Sequence, residues 1–193
     1  MRTAALCLAA TLALPVTALA QSGKTPSPPQ TTRPPEAVQY PPQSRVHIYG
    51  QVYIGERAPD FSLDGSDGKL LKLSRHKGDW VLLSFSDRKE ALAPLREIHD
   101  EMRALGVQIV GVCKEKAHTL QVFAARDTLP FVLGADFTGE IAALYGLFDT
   151  GRSTISPGLL MIDRDGWVRM ALLGQPLPPA HVARLARFAV TGQ

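Results

Sequence analysis

The chain has 193 residues, of which 45% are apolar and 20% are charged, so it can form one folded core and is not disordered throughout. Lys and Arg number 21 against 18 Asp and Glu, and this net charge of +3, without a basic cluster, does not favour nucleic-acid binding. Two cysteines are too few for a disulfide framework, a four-thiolate zinc site or a cysteine-ligated iron–sulfur cluster.

Residues 1–20 have the pattern of a secretory signal peptide. A positive start at Arg2 precedes the apolar stretch Ala4–Leu14, and the alanines at 18 and 20 form a small-x-small cleavage site. The apolar stretch is shorter than the ~20 residues that a membrane-spanning helix needs, and Pro15 interrupts it; an uncleaved anchor is the alternative. We therefore expect export to a periplasm or to the cell exterior.

A proline-rich segment at 21–45 follows the signal peptide. Seven of its 25 residues are proline and almost none are large and apolar, so it is expected to be an extended tether. A docking segment for a proline-recognising partner is the alternative to a plain spacer. The folded domain is predicted to cover 46–193. Signal cleavage would remove Cys7 and leave Cys113 as the only thiol, so the mature chain could form no internal disulfide.

Short apolar runs of strand length alternate with segments of helical periodicity after residue 46. The predicted strands are Val46–Ile54, Trp80–Phe85, Val107–Val112, Leu159–Ile162 and Trp167–Leu173, and the predicted helices cover 92–105, 117–124, 141–145 and 182–188. Turns are predicted at 64–68 and 163–166. This order predicts a three-layer α/β domain in which helices flank a mixed central sheet, partly parallel and ending in an antiparallel pair.

Several motifs, in the same order and spacing, resemble the redoxins of the alkyl hydroperoxide reductase / thiol-specific antioxidant (AhpC/TSA) group. Ile54–Leu63 resembles their opening G-x-x-A-P-D-F-x-L, and Asp67–Lys69 and Lys77–Leu83 resemble their D-G-K and K-G-K-W-V-L-L motifs. The resemblance covers about residues 50–190. It implies the thioredoxin fold and, by analogy alone, thiol-based redox chemistry.

The segment that carries the catalytic thiol in such proteins contains no cysteine here. The resemblance implies a T-x-x-C loop in peroxiredoxins, or a C-x-x-C pair in thioredoxin-like proteins, directly after a core strand. Residues 85–94 instead read FSDRKEALAP, and Glu90 and Ala93 stand where the two cysteines would be. Asp87 and Glu90 also fit a helix capping box, which predicts a carboxylate at the helix start in place of a thiolate.

The residue six positions before Asp163 also departs from the peroxiredoxin pattern. By resemblance, peroxiredoxins have an active-site arginine there and thioredoxin-like proteins have a proline, and this chain has Pro157. The resemblance implies a cis bond between Ser156 and Pro157, beside the helix start. Arg152 is near in sequence but does not align with the family arginine. The chain therefore resembles the periplasmic thioredoxin-like branch more closely than true peroxiredoxins.

Cys113 is the remaining candidate thiol, at the end of a predicted core strand. Lys114 and Lys116 are close in sequence and are expected to lower its pKa. Three interpretations stay open: a partly buried inert cysteine, an intermolecular disulfide, and reaction with peroxides. The histidines show no metal-ligand spacing, and a glycine-rich phosphate loop is absent from the sequence, so neither a metal nor a cofactor is predicted.

Two main functions follow from these residues. The first is an exported redoxin-like domain that has lost thiol catalysis, with Glu90, Ala93 and Pro157 as degenerate site positions. It would bind an envelope protein or an extended peptide in a groove between Asp87 and Pro157. The alternative is a thiol-dependent antioxidant oxidoreductase that reduces peroxides with Cys113 and needs an outside thiol to resolve the sulfenic acid. A structural envelope domain without a ligand is a third possibility.

Overall fold

Residues 52–192 are the part of the chain that the computed structural model describes. Their strands are β1 (Ser62–Asp64), β2 (Leu70–Lys72), β3 (Trp80–Ser86), β4 (Val107–Cys113), β5 (Val132–Ala135), β6 (Phe148–Asp149), β7 (Thr154–Ile155), β8 (Gly158–Ile162) and β9 (Val168–Leu173). Their α-helices are α1 (His99–Ala104), α2 (Ala117–Arg126), α3 (Glu140–Leu144) and α4 (Pro179–Thr191), and 3-10 helices cover Leu73–His76, Lys89–Ala91 and Ala93–Ile98. The predicted signal peptide and tether lie outside the described residues and stay predictions.

A five-stranded mixed sheet, in the order β5-β4-β3-β8-β9, forms the centre of the described fold. Its middle strand is β3, in which every residue after Trp80 is buried, as is typical of a strand covered on both faces. β3 pairs in parallel with β4 and antiparallel with β8, and β8 pairs antiparallel with β9. The predicted α/β fold, with a partly parallel sheet that ends in an antiparallel pair, is confirmed.

Apolar side chains pack on both faces of this sheet and give the fold its three layers. Because side chains alternate along a strand, Leu82 of β3 faces one layer and Phe85 faces the other. On the first face, Met102 of α1 and Phe123 of α2 belong to the same buried cluster as Leu82. On the second face, the ring of Tyr145 lies 5.2 Å from that of Phe85. The candidate site lies where β3 and β4 end, above these two cores.

The predicted first strand is wrong in its described part. Residues 52–54 lead into a turn, in which the amide of Glu56 donates to the carbonyl of Tyr53 at 3.1 Å. Gly55 adopts a φ of +90°, a left-handed conformation that breaks an extended chain. Residues 46–51 lie outside the described part. The predicted turn at 64–68 is found, and it joins β1 to its antiparallel partner β2.

The predicted helix over 92–105 begins as a 3-10 helix and becomes α-helical only from His99. Pro94 lies in the first turn of the 3-10 segment, where its missing amide hydrogen is tolerated because the first turn of a helix offers no acceptor for it. The helix ends at Ala104, and Gly106 follows with a φ of +72°, as expected for a glycine after a helix. No helix within residues 52–192 is long and apolar enough to cross a membrane.

Candidate functional site

The sheet brings two predicted site positions, Cys113 and Pro157, to one edge. Ser86, the last residue of β3, pairs with Cys113, the last residue of β4. On its other side β3 pairs with β8 as far as Phe85 and Gly158, and Pro157 immediately precedes Gly158. Cys113 and Pro157 therefore flank the end of β3, at the point where the cysteine-free loop begins.

The predicted capping box of Asp87 and Glu90 is wrong. Arg88, not Asp87, occupies the cap position of the 3-10 helix Lys89–Ala91, and no side chain caps this helix. The Asp87 carboxylate turns toward β7 instead, where its Oδ1 accepts the backbone N–H of Ile155 at 3.0 Å. The capping interpretation failed because a partner 68 residues away in sequence competes for the carboxylate.

Glu90 lies on the surface side of this loop, whereas Ala93 is partly buried. The Glu90 carboxylate is about half exposed and lies 3.3 Å from Lys89 Nζ and 3.9 Å from Arg88 Nε. Its pKa is lowered, first by the backbone amide of Glu90 itself and then by these cations. Ala93 opens the 3-10 helix Ala93–Ile98 and is half-buried against the core cluster of the first sheet face. The expectation of an ionised carboxylate in this loop is consistent with the geometry, because Glu90 lies in the first turn of the 3-10 helix Lys89–Ala91 and its pKa is lowered.

Cys113 lies directly beneath the same loop and is fully buried. Its Sγ donates to the backbone carbonyl of Asp87 at 3.6 Å, so the loop covers the thiol. Burial raises the pKa of the Cys113 thiol to about 12, and the carboxylate of Glu115 adds to this effect. Lys89 opposes it, whereas Asp87 and Glu90 act in the same direction as Glu115. The resting thiol is therefore protonated at neutral pH.

Lys114 and Lys116 do not approach the thiol as expected. Lys114 Nζ donates to the carbonyl and the Oγ of Ser153 and lies 5.4 Å from the ring centre of Phe148. Lys116 Nζ lies 5.3 Å from the ring centre of Phe137. Neither lysine contributes to the pKa of the thiol, so the prediction that they would lower it is wrong. Lys114 follows the last residue of β4, and its contacts with Ser153 and Phe148 direct its ammonium away from Cys113.

The cation that lowers the pKa of the Cys113 thiol is Lys89, which was not among the residues predicted from sequence. Its Nζ donates to Glu115 Oε1 at 2.8 Å and lies 5.9 Å from the ring centre of Phe123. This pair links the loop after β3 to the residues after β4. Lys89 and Glu115 are 26 residues apart in sequence, so no local pattern predicts their contact. Only the parallel pairing of β3 and β4 could have indicated it.

Pro157 differs from what the resemblance implied, whereas Arg152 lies apart from the thiol, as its failure to align with the family arginine indicated. The Ser156–Pro157 bond is trans, since no cis peptide bond occurs in the described part of the chain. The local backbone is instead held extended, because Ser156 donates to the carbonyl of Leu147 at 2.7 Å and Pro157 accepts from Gly174 at 2.7 Å. Arg152 is exposed, and its backbone amide and guanidinium both turn to Asp149. Within the described residues, these contacts of Arg152 do not include the thiol.

A cleft of about 160 Å³ lies away from this edge, near the start of β3. Its lining includes Asp60, Val81, Ile162 and Asp163, and none of the predicted site residues. Within residues 52–192, no three His, Cys, Asp or Glu side chains are grouped so that they could hold a metal ion. The chemistry available at the thiol edge is therefore that of one covered thiol, one lysine and three carboxylates.

Comparison with known proteins places this geometry in context. A family model described as the AhpC/TSA family matches residues 54–171. The chloroplastic peroxiredoxin Q of Populus jackii is 29% identical over 147 residues, which span 70% of this chain and 67% of that protein. The chloroplastic peroxiredoxin Q of Gentiana triflora is 25% identical over 168 residues, with 80% and 75% covered.

Solved structures show the same fold at lower identity. Peroxidoxin BcpB from Mycobacterium tuberculosis has a TM-score of 0.65 and 19% identity, and the match covers 72% of this chain and 97% of that one. AhpC from Mycobacterium bovis has a TM-score of 0.65 and 16% identity, with 75% and 96% covered. At these identities the likeness shows the fold alone.

Proposed function

The chain belongs to the AhpC/TSA family, and from this premise we propose that it is a thiol-dependent hydroperoxide reductase of the peroxiredoxin type whose reacting group is Cys113. The observation that carries the proposal is the position of this thiol. Cys113 is the free cysteine of the described residues. Its Sγ lies 3.6 Å from the carbonyl oxygen of Asp87, and Asp87 belongs to the loop after β3. The resemblance places the nucleophile of the family in that loop.

The proposed reaction balances with one protein thiol and an outside thiol. The Cys113 thiolate attacks one oxygen of the hydroperoxide, the O–O bond breaks, and the products are a cysteine sulfenic acid and an alcohol or water. A first outside thiol condenses with the sulfenic acid, releases water and forms a mixed disulfide. A second outside thiol attacks the outside sulfur of this mixed disulfide. Cys113 leaves as the reduced thiol, and the two outside thiols are released as a disulfide.

The resting structure sets a requirement on this reaction. The thiol is buried and its pKa is raised to about 12, so while the loop is closed the thiolate is rare and the sulfur is covered. Turnover requires the loop at 87–91 to move away from Cys113. We expect turnover to be limited by this movement, and therefore to be slow.

A second function is supported by the same observations. The thiol is covered, and Asp87, Glu90 and Glu115 all disfavour its ionisation, which is the reverse of an activated cysteine. This electrostatic setting favours a redoxin domain that binds a partner without thiol catalysis. The proposed surface is the one between Asp87 and Pro157, where an extended peptide or an envelope protein would bind. The hydrogen bond from Ile155 to Asp87 crosses this surface, so a peptide would have to displace it or lie over it.

A peroxide-consumption assay with dithiothreitol as the outside thiol separates the two functions. We expect the full chain to consume hydrogen peroxide above the rate of dithiothreitol alone, and Cys113→Ser to abolish the difference. Glu90→Gln is the matched control, because it changes the same loop but keeps the thiol. Equal rates for the full chain and Cys113→Ser would exclude the reductase and leave the binding module.

Export is proposed from residues 1–20 alone, because they carry the signal-peptide pattern. The test is the intact mass of the protein recovered from the exported fraction of an expressing bacterium. A mass that starts at Gln21 supports export with cleavage. A mass that retains residues 1–20 would contradict it.

A further inference from the structure

Asp87 makes two contacts that point in different directions from the end of β3. Its backbone carbonyl accepts the Cys113 thiol at 3.6 Å. Its side-chain Oδ1 accepts the backbone N–H of Ile155 at 3.0 Å. One residue therefore covers the thiol with its main chain while its side chain is bound to a separate element of the fold.

The element that holds the Asp87 side chain is itself fixed. Ile155 is buried, and its backbone pairs with Phe148 in the hairpin of β6 and β7. The next residue, Ser156, donates to the carbonyl of Leu147 at 2.7 Å. Because the side chains of Ile155 and Leu147 are buried in the core on the second sheet face, this hairpin is anchored to the fold, and the bond from Ile155 holds Asp87 in place.

The rest of the loop has few other attachments. The side chain of Arg88 is 79% exposed and that of Glu90 is 52% exposed. The 3-10 helix Lys89–Ala91 is a single short turn without a side-chain cap. Apart from the two bonds of Asp87, to Cys113 and to Ile155, the long-range polar attachment of this loop within the described residues is the pair of Lys89 and Glu115 at 2.8 Å.

We propose that Asp87 is a positioning residue that keeps the loop at 87–91 closed over Cys113, and that release of its bond to Ile155 is the step that exposes the thiol. A charged acceptor on a backbone amide is among the stronger hydrogen bonds, so its loss shifts the balance toward the open loop. The role in peroxide reduction rests on the proposed function. The control of thiol exposure does not, because any small thiol-directed reagent reports it.

The test compares Asp87→Ala with Asp87→Asn in the full chain. Alanine removes the acceptor for Ile155, whereas asparagine keeps an acceptor oxygen and removes only the charge. Iodoacetamide labelling at pH 8 is followed by mass spectrometry on the peptide that carries Cys113, which separates it from Cys7. We expect labelling to be roughly tenfold faster or more in Asp87→Ala, the change that loss of one such bond gives. The labelling rate of Cys113 in Asp87→Asn should be closer to that of the wild type than to that of Asp87→Ala.

Hydrogen exchange of the Ile155 amide gives a second readout. It should lose protection in Asp87→Ala and keep it in Asp87→Asn, because only the first variant leaves this amide without its acceptor. Asp60→Ala is the matched control. The Asp60 carboxylate also holds a distant backbone amide, that of Ser74 at 2.9 Å, but it lines the cleft near the start of β3. Its loss should leave labelling of Cys113 unchanged.

Three outcomes overturn the proposal: wild-type labelling rates in Asp87→Ala, equal acceleration in Asp60→Ala and Asp87→Ala, or unchanged protection of Ile155 in Asp87→Ala. Failure of the proposed function looks different. If Asp87→Ala labels faster but consumes no more peroxide than Cys113→Ser, the positioning role stands and the reductase is excluded.

Discussion

Cys113 in the folded protein should react with an alkylating reagent about a thousand times more slowly than the same cysteine in the unfolded chain. The reactive species is the thiolate, and burial together with Glu115 raises the thiol pKa from 9.0 to about 12. At pH 8 the thiolate fraction is therefore about three powers of ten smaller, because each step of one in pKa changes it tenfold. Burial of the whole side chain slows the approach of the reagent further.

The assay is iodoacetamide labelling at pH 8, with and without guanidinium chloride, measured on the peptide that carries Cys113. An added cysteine at a fully exposed position, Asp100→Cys, is the control, and it should react at similar rates in both conditions. A folded Cys113 that reacts within about tenfold of the unfolded chain would refute the argument from burial and charge.

Three further predictions concern stability and its dependence on pH. Replacing Asp163, which accepts the amides of Asp165 and Trp167, by Ala should lower the free energy of unfolding by about 2 kcal/mol at pH 7. The pKa of Asp163 is lowered by these bonds and by Arg169 despite burial. In urea titrations, the difference in the free energy of unfolding between the wild type and Asp163→Ala should therefore shrink as pH falls below about 4. Conversely, because the pKa of Cys113 is raised, the free energy of unfolding should fall as pH rises from 9 toward 12, by up to about 4 kcal/mol. In chemical unfolding, Cys113→Ser should abolish this part of the pH dependence. Gly139→Ala should lower the melting temperature, because a Cβ there would lie 2.2 Å from Phe148 and φ is +79°.

The core strands could be predicted from sequence because each is a short run of apolar residues. The interval Trp80–Phe85 and the observed Trp80–Ser86 differ by one residue. β5 was not predicted, since its Val-Leu-Gly-Ala run is four residues long and contains a glycine. That glycine lets two segments pack closely: a Cβ at Gly134 would lie 2.9 Å from Leu63 and from Leu71, whose side chains would have to move. Contacts of this kind between distant segments leave no local pattern.

The candidate site was only partly predictable for the same reason. The absence of cysteine at 85–94 is read directly from the sequence, and so is Cys113 at the end of a strand. The burial of its thiol and the bond from Ile155 to Asp87 depend on partners 26 and 68 residues away. Local spacing favoured a capping box for Asp87, but the folded chain offers the carboxylate a different amide.

Trapping of a sulfenic acid on Cys113 would show directly whether this thiol reacts with peroxide. The full chain is treated with hydrogen peroxide in the presence of dimedone, which reacts with sulfenic acids, and the labelled peptide is identified by mass spectrometry. We expect dimedone on Cys113, more of it in Asp87→Ala, and none at this position in Cys113→Ser. An unlabelled Cys113 in both the wild type and Asp87→Ala would contradict the claim that this thiol performs the chemistry.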